Sequence, residues 1–253
     1  MTAYRLAGVD VPRIGLGTNR LTTARGHVSF VREAVAAGVR HIDTAHLYTG
    51  GASERAIGEA LEGADEGVLV ATKGGYRPGE GRPEVLGEQI EQSLRSLRTE
   101  SIGLYYLHRV DPETPFEESL GAIKAYVDRG AIRHVGLSNV SVAQIVRGRE
   151  IVPVAAVQNR YGLDDRGQDD VVEFCEREGI PFVPYFPLRG GGGPGVAAAA
   201  ARLGVTENAV KLAWLLHRSP VMLPIPGTLS IEHLRKNLAA LELELGDADD
   251  IAA

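Results

Sequence analysis

Four side chains in the first half of the sequence are of kinds that together can move a proton: Asp43, Tyr48, Lys73 and His108. A phenol is a weak acid, with an ordinary pKa of about 10. An ammonium beside it favours the phenolate and lowers that value, and a carboxylate holds the ammonium in place. The residue types therefore predict a relay. Asp43 fixes Lys73, Lys73 lowers the pKa of Tyr48, and Tyr48 gives its proton to a carbonyl oxygen that His108 orients by a hydrogen bond. No activated nucleophile accompanies the set. There is no G-x-S-x-G segment, and the single cysteine, Cys175, falls in a helical pattern, VVEFCERE, as a small buried hydrophobe. Proton donation without a nucleophile suits hydride transfer from a bound cofactor.

These residues must be brought together by the elements that carry them. Short β-rich apolar runs occur at Arg13–Gly17, Val39–Asp43, Val68–Lys73 and Ile102–His108. Further runs follow at Ile132–Ser138, Val154–Gln158, Ile180–Tyr185 and Val221–Ile225. Several are almost continuously apolar, as expected of strands covered on both faces in a parallel sheet. Helical stripes lie between them, Leu86-Ile90-Leu94-Leu97 and Phe116-Leu120-Ile123-Val127 among them. Trp214 shares such a face with Val210 and His217, which places it in the core. Glycines close helices just before the next strand, in AAG, DRG and REG. Eight strand-helix units with no linker predict one domain over residues 1–253, a closed (β/α)8 TIM barrel, in preference to a doubly wound sheet. The stretch before Arg13 is expected to form a short hairpin over the barrel floor. RGGGGPG, Arg189–Gly195, reads as a mobile loop, with Gly190 close to a cofactor pyrophosphate.

A parallel barrel carries its active face at the C-terminal ends of its strands. Here every apolar run ends in polar or small residues: Asp43, Lys73, His108, Ser138-Asn139, Gln158-Asn159, Tyr185 and Gly227-Thr228. That ring marks a lined pocket. His41, His46, His134 and His217 are assigned structural or surface places.

Composition limits the function classes. The chain has 253 residues and a formal net charge of −6, which argues against a nucleic-acid surface. No run of 18 apolar residues and no signal peptide are present, so the expectation is a cytoplasmic protein acting on a small molecule, as a monomer or weak oligomer. Two other readings of these residues compete. A metal-dependent barrel hydrolase using Asp43, His46 and His108 lacks the His-x-His spacing on the first strand and has too few ligands, so no metal is expected. A nicotinamide-binding regulatory protein with little turnover is the main alternative, against which the intact set of four residues argues.

The segments GLGT (15–18), HIDTAHLY (41–48), ATK (71–73), YYLH (105–108), VGLSN (135–139), VQNRY (157–161) and PIPGT (224–228) resemble the aldo-keto reductase superfamily, in the family's order and over almost the whole chain. VPYFPLRGGG and IPGTLSIEHLRKNL are most similar to a bacterial branch that includes pyridoxal reductases. The resemblance implies an NAD(P)H-dependent carbonyl reductase with the tetrad Asp43, Tyr48, Lys73 and His108. It implies a nicotinamide whose carboxamide meets Ser138, Asn139 and Gln158 and whose ring stacks on Tyr185. It also implies further cofactor contacts at Gly17, Thr18, Asn19, Asp43, Phe186, Pro187, Leu188 and Gly227. NADPH is the expected cofactor, with NADH possible. Where many NADPH-using members have Lys-Ser and, five residues on, an arginine, this chain has Gly227-Thr228 and then His233. His233 and Asn237, four apart on one helix, are expected to face the adenosine end, with Lys236 supplying charge. Short connections after the fourth and seventh strands, and the short stretch after the last helix, predict an open and permissive pocket.

Overall fold

A strand shielded on both faces needs alternate residues to suit two different apolar layers. In a computed structural model of the chain, which describes residues 4–63, 67–246 and 251, six of the apolar runs form a parallel sheet in sequence order. Its strands are β3 (Leu16–Gly17), β4 (His41–Asp43), β5 (Leu69–Gly74), β6 (Ile102–Leu107), β7 (Ile132–Ser138) and β8 (Val154–Gln158). Ahead of them, β1 (Tyr4–Leu6) and β2 (Val9–Val11) form the expected antiparallel hairpin.

The seventh and eighth runs are not regular strands, although the sheet does close through them. Pro181, Pro184, Pro224 and Pro226 lack the N–H that a ladder needs. The remaining donors make the closure. Val183 N donates to Val157 O at 2.8 Å and Leu223 N to Phe182 O at 2.8 Å; Gly15 N donates to Pro224 O at 3.0 Å and Gly17 N to Pro226 O at 3.2 Å. The barrel thus has eight staves, two of them interrupted by proline.

The helices follow the strands: α1 (Arg25–Ala36), α2 (Ala52–Leu61), α3 (Pro83–Leu97), α4 (Phe116–Asp128), α5 (Val142–Arg149) and α6 (Asp169–Glu178). The seventh connection holds two helices, α7 (Gly193–Leu203) and α8 (Glu207–Arg218), and α9 (Ile231–Ala239) follows the eighth stave. Leu86, Ile90, Phe116, Leu120 and Ile123 are buried, as their spacing predicts, and Trp214 is buried against Tyr161. The glycine-rich stretch departs from its expected mobility. Gly193 to Gly195 already belong to α7, Gly192 N donates to Asp164 Oδ2 at 2.9 Å, and Lys211 Nζ donates to Gly190 O. Among the described residues no helix is long and apolar enough to cross a membrane.

The alternation along each strand explains how a packed barrel carries a polar top. Leu69 and Ala71 of β5, Leu104 and Tyr106 of β6, and Ala156 of β8 point into the barrel, where the hairpin residues Leu6 and Val11 meet them from below. Continuing each row by two residues reaches Lys73, His108 and Gln158. Gly136 of β7 is the small residue that admits the Tyr106 ring: a Cβ there would lie 2.3 Å from two of its ring carbons. Replacing it with alanine forces the ring and the layer above it to move. Gly136→Ala is expected to lower unfolding free energy by about 1–3 kcal/mol, the usual effect of overpacking, as measured by urea denaturation.

Candidate active site

Asp43 and Lys73 stand at the C-terminal ends of neighbouring strands, Lys73 wholly buried and Asp43 nearly so. Lys73 Nζ donates to Asp43 Oδ1 at 2.6 Å and to the Thr44 carbonyl at 2.6 Å. Gln158 Nε2, from β8 across the barrel, donates to the other carboxylate oxygen at 2.8 Å. Tyr48 stands above this pair on a tight turn in which Thr49, Gly50 and Gly51 all have positive φ. Thr49 pins the turn by donating to the Leu21 carbonyl at 2.6 Å. The Lys73 ammonium lies 5.2 Å from the centre of the Tyr48 ring, and the His108 ring lies 6.2 Å from it, edge on. The four residues singled out by type and spacing therefore converge.

Their electrostatics differ from the expectation at one point. Burial alone would lower the pKa of Lys73, but Asp43 and Tyr48 outweigh it and hold the ammonium above its ordinary value. Tyr48 is pulled in two directions: burial raises its pKa, Lys73 lowers it and Asp43 raises it again. Burial prevails, so the Tyr48 pKa stands above that of a free phenol rather than below it. A low-dielectric site penalises phenolate more than a lysine already engaged by a carboxylate can repay. His108 is pushed down to about 2, first by burial and then by Lys73 and Arg109. It is a neutral imidazole, and its Nδ1 is buried without a partner.

These groups open on a cavity of about 620 Å³. Asp43, Tyr48 and His108 line one end, with Leu47, Tyr76 and Arg109. Asn139, Gln158 and Tyr185 form the middle; Tyr185 Oη donates to Asn139 Oδ1 at 2.7 Å, and Asn139 Nδ2 donates to the His108 carbonyl at 2.9 Å. Gly17, Thr18, Asn19, Phe186, Pro187, Leu188 and Gly227 line the rest, together with Arg20 and Arg189.

The other expected site residues do not line it. Lys73 is wholly buried, and Ser138 is buried with its Oγ accepting from Asn139 Nδ2 at 3.1 Å. Gly190 sits against Asp164. Thr228 Oγ1 accepts from Ser230 N at 3.0 Å, at the start of α9. On that helix His233 is exposed and Lys236 pairs with Glu232 at 2.6 Å, while Asn237 turns inward beside Leu234. His233 and Asn237 therefore do not present one exposed face. Tyr76, Arg20, Arg109 and Arg189 were absent from the expected set. Adjacency to His108 and to the strand end at Lys73 is the signal that Arg109 and Tyr76 carried. Among the described residues no group of three His, Cys, Asp or Glu side chains is arranged to hold a metal ion. Cys175 is buried, and its thiol pKa is pushed up to about 12.

Comparison with known proteins identifies the family. The model of the aldo/keto reductase family matches residues 13–195 and 194–253. The chain belongs to the aldo/keto reductase family. The two matched stretches meet at Pro194 and Gly195, in the glycine-rich entry to α7. Pyridoxine 4-dehydrogenase of Escherichia coli is 36% identical over 270 residues, covering 96% of this chain and 94% of that enzyme. An uncharacterized oxidoreductase of Schizosaccharomyces pombe is 36% identical over 261 residues, covering 95% and 85%. A thermostable aldo-keto reductase solved with the inhibitor epalrestat superposes with a TM-score of 0.90 at 31% identity, covering 99% of this chain and 97% of that one. An aldo/keto reductase from Klebsiella pneumoniae, solved with NADP and acetate, gives 0.87 at 29% identity, covering 97% and 91%. The protein is thus an oxidoreductase of this family on a (β/α)8 barrel.

Beneath Asp43, His41 is completely buried with neither ring nitrogen partnered, and burial lowers its pKa to about 4. The unfolded chain takes up this proton near pH 6.5 while the folded one does not, so the native state loses stability as pH falls from there towards 4. At pH 5 the loss from His41 amounts to about 2 kcal/mol. His41→Leu is expected to narrow the difference in unfolding free energy between pH 7.5 and pH 5 by about that amount, measured by urea titration at both values.

Proposed function

We propose that this aldo/keto reductase reduces an aldehyde or ketone to an alcohol with NADPH, with Tyr48 as the proton donor. The observation that carries the reading is the buried Lys73–Asp43 pair set under the Tyr48 ring, with neutral His108 beside it at the same end of the cavity. The residues fit a nicotinamide dinucleotide. The cavity is large enough for a cofactor end and a small substrate together, Tyr185 supplies an aromatic face, and Asn139 and Gln158 supply amide groups. The relative from Klebsiella pneumoniae holds NADP. When bound, that group supplies a hydride to the carbonyl carbon.

The chain's own residues do the rest. His108 is neutral across any working pH, so it offers a hydrogen bond to the carbonyl oxygen without competing as an acid. Tyr48 keeps its proton until negative charge develops on that oxygen, because its pKa is raised. The phenolate left behind is stabilised by the Lys73 ammonium, which Asp43 holds in register. Lys73 therefore acts on the transition state rather than by ionising Tyr48 beforehand. Asn139 and Gln158 complete the lining of the proposed cofactor site, with Ser138, Gly190 and the helix start at Thr228 assigned to it from outside the cavity lining.

On α9 the charge of Lys236 is shared with Glu232, which leaves His233 and Arg235 as that helix's exposed donors for a 2′-phosphate near Thr228. NADPH is expected to bind more tightly than NADH, by a margin that falls in His233→Ala. Dissociation constants for both cofactors, in wild type and the variant, check this; a margin indifferent to the substitution moves the phosphate to Arg235 or Lys236. Tyr48→Phe is expected to cut turnover roughly 10²–10⁴-fold while leaving NADPH affinity nearly intact. Single-turnover kinetics with a generic aldehyde test it, and a variant that keeps more than about a tenth of the rate removes Tyr48 as the acid.

A further inference from the structure

The charge lining the cavity runs against that of the chain. The protein has a formal net charge of −6, yet Arg20, Arg109 and Arg189 line the cavity and, among the described residues, Asp43 is the only lining carboxylate. Asp43 is already engaged by Lys73 and Gln158. Arg20 donates to the Gly227 carbonyl at 3.3 Å, on the stave that bridges Gly17, and Arg189 follows Leu188 in the lining. Both suit the phosphates of a dinucleotide.

Arg109 stands elsewhere. It is exposed, follows His108 directly, and pairs with no carboxylate among the described residues. Its guanidinium lies 4.9 Å from the centre of the Tyr76 ring, which in turn lies 4.8 Å from the His108 ring. A guanidinium laid on an aromatic face keeps its N–H edge available for a planar anion. The loop that carries Tyr76 is held, not loose. Buried Asp111 accepts from Gly79 N at 3.0 Å, Gly81 N at 2.8 Å and Thr114 Oγ1 at 2.8 Å. The Tyr76 amide itself donates to Glu80 at 3.1 Å. Tyr76 thus forms a wall on a backbone-anchored loop, and Arg109 a cation laid against it, beside the point where Tyr48 and His108 converge.

We infer that the substrate is a flat carbonyl compound bearing an anionic oxygen group, with Arg109 as its receptor and Tyr76 as the surface on which it lies. The inference rests on the carbonyl-reductase reading above and narrows its substrate class. Specificity here comes from a charge-assisted hydrogen bond at the rim of the pocket.

The test compares kcat/KM for 4-carboxybenzaldehyde and 4-formylphenyl phosphate with that for the neutral methyl 4-formylbenzoate, in wild type, Arg109→Gln and Arg109→Lys. The anion-to-ester ratio is expected to exceed one in wild type, to fall roughly 10- to 100-fold in Arg109→Gln, chiefly through KM, and to recover in part in Arg109→Lys. The arm with the larger ratio tells carboxylate from phosphate. A wild-type ratio near one, or a ratio unchanged by Arg109→Gln, overturns the inference. So does a loss of NADPH affinity in Arg109→Gln as large as the loss for the anion, since that assigns the cation to the cofactor. Calorimetric binding of 4-(hydroxymethyl)benzoate needs no turnover. Binding that depends on Arg109 in an enzyme inactive towards every aldehyde supports the anion receptor and sinks the reductase reading; turnover of the ester without such binding does the reverse.

Discussion

Much of this barrel's upper half is organised around one bond, 2.6 Å long and shielded from water, between Lys73 and Asp43. Removing two charges from water costs several kcal/mol for each ion, and attraction alone repays that only with good geometry and further hydrogen bonds. Those bonds are present: the Thr44 carbonyl takes a second ammonium proton, and the Gln158 amide takes the second carboxylate oxygen. One pair therefore ties β4, β5 and β8 together at the level where the chemistry takes place. Leaving either ion alone in that setting would cost about 3–5 kcal/mol, so positioning and folding make the same demand on these residues.

Burial beside the pair governs the protonation of its neighbours. His41 below and His108 above both stay neutral because burial resists a further positive charge; Lys73 adds repulsion at His108, while at His41 the attraction of Asp43 opposes the shift without reversing it. Tyr48 keeps its proton because its burial outweighs the pull of an ammonium already committed to Asp43. The site thus holds a neutral acid and a neutral hydrogen-bond donor in the cavity wall and a buried cation behind them, in three environments. What distinguishes them is depth and contact rather than residue type.

That distinction marks the boundary of what could be read from residues alone. Lys73 and His108 were legible because an apolar run in a parallel barrel delivers its last side chain to the active face, and Asp43 with Tyr48 followed from their spacing. The (β/α)8 architecture was legible in the repeated order of run, loop and stripe. The two irregular staves were signalled too, by Pro181, Pro184, Pro224 and Pro226, since proline weakens any claim to a central strand. The sign of the Tyr48 shift was not legible, because it is a contest between burial and charge whose terms exist only in three dimensions. Nor was the anchoring of the glycine-rich stretch, whose partners Asp164 and Lys211 lie about 20 to 30 residues away in sequence.

The proline-interrupted staves give the barrel a mechanical asymmetry. Between β4 and β8 the wall is stitched by regular ladders, while from β8 through Tyr185 and Ile225 back to β3 it is held by isolated bridges. Segments with fewer mutual hydrogen bonds open at lower free energy. The compliant seam carries Tyr185 to Leu188 and Gly227, and the stiff arc carries Asp43, Lys73 and His108. The wall can therefore yield around a large guest on one side while the distances that govern proton transfer stay fixed on the other.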